Sequence, residues 1–339
     1  MWEWKNQNRR KKSRPGEEII INGGLNILNG LKAGMRVFKI FLIGLLCFGF
    51  VPVSVRAEAP AWMPEEPDYA FFAGSPYTEP TRFLQVILTN YFQNFRAGEY
   101  PQRQLSNLLR FEYGLTDRLE ADLVLSYNSL WSELPGTSVQ PVQQNGFGNT
   151  LLGLRYRFLN EESSPLTLTF GPQLLLPTGV VNAVFGNGGL GLAWDLTMAR
   201  EWSPLLFTYL NLNYATTFNA LDPTPGSLQD YTLQNLFWAV ALGFRPLEVD
   251  GAKGGHHCLH AFLEAAGVLQ ESVDPGAVVG IRSTQKTFVL SPGLRYGYLT
   301  KNKTLAEVGL AAPVGFGQDS PTWGLMLQTQ LEYGFVKKQ

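Results

Sequence analysis

Gln104-Leu105-Ser106-Asn107-Leu108-Leu109-Arg110-Phe111-Glu112-Tyr113-Gly114-Leu115-Thr116-Asp117-Arg118-Leu119-Glu120-Ala121-Asp122-Leu123-Val124-Leu125-Ser126-Tyr127 is the stretch whose reading decides the fold. Two runs alternate about a tight Thr116-Asp117-Arg118 turn. In the first, Leu105, Asn107, Leu109, Phe111 and Tyr113 share one face, and Gln104, Ser106, Arg110 and Glu112 share the other. In the second, Leu119, Ala121, Leu123, Leu125 and Tyr127 oppose Glu120, Asp122 and Ser126. Successive side chains of a strand leave opposite faces, so the pattern reads as an antiparallel hairpin with one apolar side. Each run is about ten residues long. That exceeds the ~5–6 residues of a soluble strand and matches the ~9–11 that cross a bilayer.

The same grammar recurs outward from this hairpin, over Thr150–Phe158, Leu166–Leu174, Leu190–Met198, Leu236–Phe244 and Trp323–Phe335. About twelve such runs lie between Arg82 and Phe335, an even number that suits a bacterial barrel. Connections alternate in length. Thr116–Arg118, Asn160–Pro165, Arg200–Pro204 and Thr300–Lys303 are short, while Ser129–Gly146, Thr178–Asn187, Phe218–Asp230 and Gln270–Gln285 are longer. Pro246–Cys258 reads as one long loop on the short side. Short periplasmic turns opposite long outer loops are the asymmetry of an outer-membrane barrel. The apolar stripes end in aromatics such as Tyr113, Tyr127, Tyr156, Phe158, Phe244, Tyr296, Tyr333 and Phe335, as interfacial girdles require. The prediction is therefore an all-β, transmembrane, antiparallel up-and-down β-barrel of about 12 strands over residues 81–335, with both ends periplasmic and a tail at 336–339. Closure also solves the backbone problem, since lipid offers no partners to an open sheet edge.

Composition agrees with that reading. Hydrophobic residues make up 45% of the 339 and charged residues only 16%, a low charge content for a soluble surface. Residues 1–57 hold ten of the 27 basic and three of the 28 acidic residues, which leaves 17 against 25, or about −8, for residues 58–339. So acidic a chain is a poor nucleic-acid binder. Met35-Arg36-Val37-Phe38-Lys39 is a basic start, Ile40–Val51 an apolar run of twelve, and Val55-Arg56-Ala57 a small-residue cleavage site. Together 35–57 read as a cleaved signal peptide, because the apolar run is shorter than the ~20 residues of a spanning helix. Leu46 stands before Cys47 where a lipoprotein needs a small residue. Residues 1–34 read as an extension without a fold upstream of a true start at Met35, or as an unusually long n-region, and Glu58–Pro80 as a Pro-rich linker or periplasmic segment. Once Cys47 is removed, Cys258 is alone and no intrachain disulfide can form.

Three stretches carry a family resemblance: Tyr113-Gly114-Leu115-Thr116-Asp117-Arg118-Leu119-Glu120, then Gly146-Phe147-Gly148-Asn149-Thr150 leading into Gly153-Leu154-Arg155-Tyr156-Arg157-Phe158, then Leu176-Pro177-Thr178-Gly179. In this order they resemble the outer-membrane family labelled "MetA-pathway of phenol degradation". Asn149 stands where that family commonly has an acidic residue. The resemblance covers roughly residues 80–335 and implies an outer-membrane transporter or channel for small solutes, hydrophobic or aromatic ones among them. Leu331-x-Tyr333-x-Phe335 similarly resembles the C-terminal signal read by the outer-membrane assembly machinery, although four residues follow Phe335.

By strand parity the inward-facing charges are Arg110, Glu112, Glu120, Asp122, Arg155, Arg157, Asp195, Arg245, Glu264, Arg295, Glu307 and Glu332. Exposure to lipid at the midplane costs ~2–4 kcal/mol for Arg or Lys, so these groups face water or one another. They line a pore, or they form a ladder of ion pairs that fills it. A twelve-strand lumen lies between the side-chain-filled eight-strand kind and an open porin, which leaves room for a small-solute passage narrowed by a loop or by residues 58–80. His256, His257, Cys258 and His260 include every histidine in the chain and are of metal-ligating type. Contiguous ligands wrap one ion poorly, so the expectation is no metal, no cofactor and a polar turn. No catalytic site is expected either. A rim phospholipase needs a Ser–His pair on the outer side, and these histidines fall on the short-turn side. Gly146-Phe147-Gly148 and Gly186-Asn187-Gly188-Gly189 precede strands rather than the helix a phosphate loop requires.

Overall fold

In a computed structural model of the chain, residues 70–97, 100–132, 142–161, 163–179, 185–221, 230–250, 255–273, 281–300, 304–317 and 319–335 are described. The expected signal peptide, the extension before it, residues 58–69 and the tail 336–339 lie outside them. The elements in order are β1 (Phe83–Ala97), β2 (Tyr100–Thr116), β3 (Leu119–Ser132), β4 (Val142–Phe147), β5 (Thr150–Leu159), β6 (Thr167–Leu176), β7 (Leu190–Ser203), β8 (Leu206–Leu221), β9 (Asp230–Asp250), β10 (His256–Val273), β11 (Ile281–Leu299), β12 (Leu305–Ala311), β13 (Val314–Gly315) and β14 (Trp323–Gly334).

Strands adjacent in the wall pair antiparallel, and β14 closes the sheet on β1 in register from Phe83↔Gly334 to Asn94↔Trp323. Both β4 and β5 pair with β3, end to end. Likewise β12 and β13 both pair with β11, on either side of Ala312-Pro313. Each of these two couples is one wall strand, so the fourteen segments make a closed barrel of twelve strands. The opening hairpin has the expected register, with Phe111↔Leu123, Glu112↔Asp122 and Tyr113↔Ala121.

The alternation seen in the sequence becomes an inside and an outside. Leu152, Leu154, Tyr156, Leu190, Leu192, Trp194, Leu242, Leu294, Leu310, Leu325, Leu331 and Tyr333 are exposed on the outer wall. Their neighbours one residue along, such as Gly153, Arg155, Arg295 and Gln330, are turned inward and covered. A soluble protein rarely exposes an apolar surface on this scale, whereas lipid requires one. Rings pair along the outer faces, as in Tyr156–Phe158, Phe170–Trp194 and Tyr333–Phe335.

One departure from the sequence reading concerns a connection. Pro246–Cys258 is not mainly loop: β9 runs to Asp250 and β10 begins at His256, with Val249↔His257 and Leu247↔Leu259 in register. Opposite Leu259–Ala261 the register shifts, with three steps of β9 from Leu247 to Phe244 against two of β10, and this extra residue breaks the period-two pattern of β9. In mid-wall, the β5–β6 ladder skips from Gly153↔Gln173 to Tyr156↔Phe170. Pro172 has no N–H to donate, which forces such a gap in a strand interior. A shallow outer cleft of about 260 Å³ lies over this gap, lined by Leu152, Leu154, Leu174 and Leu192.

Candidate functional site

The inside of the barrel is the candidate site, and the strands set its chemistry by register. On β2, β3 and β5 the inward positions place Glu112 beside Asp122 and Glu120 beside Arg155. The Arg155 guanidinium lies among all three acids. It donates to Glu120 through both Nε and Nη2; Nε stands 3.3 Å from Asp122, and Nη2 is 3.3 Å from Glu112. Arg110, half exposed, reaches Glu112 at 3.3 Å. The carboxylate oxygens of Glu79, Glu112 and Glu120 lie within 4.8 Å of one another. That spacing could share a cation, and Arg155 supplies the positive charge there.

Across the lumen, Arg295 bonds Gln328 and lies 3.4 Å from Glu307. Arg245 bonds Glu201 at 2.6 Å and lies 4.5 Å over the Phe207 ring. Asp195 accepts from Asn211 at 3.0 Å and Asn213 at 3.2 Å. Arg157 sits at the short-turn rim, partly exposed, and donates to the Asp117 carbonyl at 2.6 Å. Glu332 is half-buried on β14 beside Leu305. His256, Cys258 and His260 face inward from alternate positions of β10, successive positions standing about 7 Å apart. His256 bonds Asp250 at 3.2 Å, and His257 turns outward to Tyr296. The four do not converge on one point.

A second set of groups came from the stretch expected to be a linker. Over residues 70–80 that stretch lies inside the barrel, with Ala70, Phe71, Ala73, Ser75, Tyr77, Thr78 and Glu79 all buried. Its backbone is held because a buried peptide group must find a partner. Glu264 accepts from the amides of Phe71, Phe72 and Ala73 at 2.7, 2.7 and 3.1 Å. Arg155 donates to the Ser75 carbonyl at 2.8 Å, Glu79 N donates to Glu120 at 2.6 Å, and Thr169 donates to the Pro76 carbonyl. Around Phe71 the wall is apolar: Tyr91, Phe207, Tyr209, Phe262, Val289 and Met326, with Ala199, Ala239, Ala241, Ala266 and Ala311 as small residues between them. Small side chains on the wall leave the middle of the lumen wide, and the segment's phenylalanines fill it.

Two carboxyls outside the spanning strands have displaced pKa values. Hydrogen bonds from the Thr81 side chain and amide hold Asp117 below its ordinary range. Glu161, in the β5–β6 turn, accepts from the Glu201 amide at 2.9 Å. Burial, with the Glu201 carboxylate beside it, pushes Glu161 up to about 7. Neither was singled out by strand parity, because both belong to turns.

An antiparallel barrel closed on itself, apolar outside and charged within, defines an outer-membrane β-barrel protein, the class this chain belongs to by fold. A solved structure agrees at that level. An outer membrane channel from Pseudomonas putida F1 superposes with a TM-score of 0.53 at 14% identity, covering 79% of this chain and all of that one. The beta domain of the Bordetella autotransporter BrkA follows at 0.46 and 13%, covering 75% of this chain and 99% of the other. No family model and no curated relative matches the sequence.

Proposed function

We propose that the protein is an outer-membrane channel for small solutes, hydrophobic and aromatic ones among them, with the segment Ala70–Pro80 as a removable occupant of its lumen. The observation that carries this reading is how the lumen is filled. Wall charges pair mainly with neighbours on adjacent strands, as Arg155 does with Glu120 and Arg295 with Glu307, and so lie along the wall. The centre is filled instead by a segment that leads into β1. An apolar waist between polar groups suits an apolar solute that must first leave water. The resemblance of Tyr113–Glu120, Gly146–Phe158 and Leu176–Gly179 to the phenol-degradation outer-membrane family points the same way. Cleavage of residues 35–57 and recognition of the strand ending at Phe335 by the assembly machinery complete the proposal for how the chain reaches the membrane.

A second reading is favoured by the depth of burial of the same segment: a non-conducting structural or adhesive barrel, permanently filled. Planar-bilayer recording separates them. The wild-type protein should conduct weakly or in brief openings, and a variant lacking residues 70–80 should show larger and longer openings. Silence from both, with the variant folded on a heat-modifiability gel, would reject the channel in favour of the structural barrel.

A further inference from the structure

The ring of Phe71 occupies a hollow that the barrel wall makes for it. A Cβ added at Gly293 would stand 2.4 Å from that ring, and one at Gly309 would stand 2.8 Å away. Adjacent strands thus carry glycine where the ring approaches the backbone, the usual meaning of glycine in a strand interior. Phe262 meets the ring edge-on with centroids 6.1 Å apart. The Arg295 guanidinium lies 5.4 Å from its centre, within the range of a cation–π contact. The amide nitrogen of Phe71 donates to Glu264 at 2.7 Å. Between the nitrogen held by Glu264 and the ring held by the wall lie only the α and β carbons, so the wall grips an arylethylamine skeleton at both ends.

We infer that the lumen wall carries a binding pocket for arylethylamines, of which Phe71 is the built-in occupant. The inference rests on the channel reading, in which withdrawal of the segment uncovers the pocket. Its wall groups belong to β10, β11 and β12, so they remain when the segment leaves. The register neighbours of Glu264 are Ala241 and Ser291, neither of them charged, and Arg295 is engaged by Glu307 and Gln328. Withdrawal therefore strips Glu264 of three N–H donors at once. A primary ammonium returns three donors on one atom and adds opposite charge, which strengthens each hydrogen bond. The ring meanwhile fills the hollow over Gly293 and Gly309. An alkylamine satisfies only the carboxylate, and an alkylbenzene only the hollow.

The test uses the full-length protein and 2-phenylethylamine as probe, with ethylbenzene and butylamine for comparison. A variant lacking residues 70–80 uncovers the hollow and strips Glu264 of its three amides together, whereas Phe71→Ala empties the hollow but keeps those backbone amides on Glu264. Calorimetry should find that the deletion variant binds 2-phenylethylamine about tenfold or more tightly than wild type does, a difference easily resolved, and more tightly than either comparison compound. Adding Glu264→Gln should abolish the preference for the amine over ethylbenzene. Phe71→Ala alone should gain affinity for ethylbenzene without that preference. Binding by the deletion variant no tighter than wild type, or an amine preference that survives Glu264→Gln, would overturn the inference. Failure of the deletion variant to fold would also overturn it, because a segment that withdraws must be dispensable to the wall. Conductance recorded in parallel keeps the two ideas apart: a conducting protein whose variant does not bind loses the pocket alone, and a binding variant of a silent barrel loses the channel alone.

Discussion

Replacing Arg155 by alanine should destabilise the barrel by ~3–5 kcal/mol, the cost of removing one partner from a buried ion pair. The structure places the effect in that class rather than among surface pairs. The Arg155 side chain is 3% exposed, and its partners Glu112, Glu120 and Asp122 are 0, 0 and 4% exposed. Truncation leaves three carboxylates without their shared cation and also removes the donor to the Ser75 carbonyl, worth about 1 kcal/mol more. Urea titration of the protein refolded in detergent, followed by heat-modifiability on gels, measures the loss. A second substitution supplies the internal control. Arg155→Ala with Glu120→Gln removes a charge as well as its partner and should recover ~1–3 kcal/mol of the loss, the range of coupling between residues in contact. A single-variant cost below ~1 kcal/mol, the value of an exposed pair, would refute the reasoning. It would mean that water reaches the cluster and that the inserted segment does not seal it.

The outward face of β3 should be intolerant of charge: Leu123→Arg should cost ~2–4 kcal/mol near the midplane, and Val124→Arg, on the inward face, clearly less; equal costs in a lipid refolding assay would contradict the register. A pH effect should arise at Glu161. Its folded-state pKa is raised to about 7 from an ordinary 4.5, so folding favours the neutral acid; that stability is full below the ordinary value and is lost as pH rises through 7. Midpoints of thermal unfolding should fall over this window in wild type and stay flatter in Glu161→Gln, whereas parallel curves for the two would locate the dependence elsewhere. Protein from outer-membrane fractions should begin near Glu58, and N-terminal sequencing that finds Ile40–Val51 retained would rule out the proposed cleavage.

How far the sequence could be read follows from the range of the interactions involved. Strand parity is local, so Leu105–Tyr113 and Leu119–Tyr127 announced their hairpin, its register and its inward charges without help from the rest of the chain. The inward facing of Arg155, Glu120 and Glu264 was legible for the same reason. That a loop or residues 58–80 would narrow the lumen followed from the strand number, but which residues fill it, and against what, did not. Phe71 and Phe72 stand among prolines and acids with no period-two pattern around them, and their partners Glu264, Phe262 and Tyr91 come from distant strands. One signal was present in the register alone. Glu264 faces inward with only Ala241 and Ser291 beside it, so a carboxylate there needs donors from outside the wall. The misread loop at Pro246–Cys258 has the opposite cause, a one-residue irregularity of β9 between Phe244 and Leu247 that hides a continuing strand.

The closure of β14 on β1 bears on the order in which the molecule can form. The segment that ends at Pro80 runs directly into β1, so it is tied to one edge of the β1–β14 seam. Its amide at Phe71 bonds a carboxylate 193 residues away, a contact of very high order that is slow to form because a long loop must close first. While the sheet is still open, the segment can swing in from the side. After the edges meet, it can reach Glu264 only by threading along the bore from the rim. Assembly therefore has two routes with different rate-limiting steps, and a catalyst that holds β1 and β14 apart would favour capture of the segment before the wall is complete.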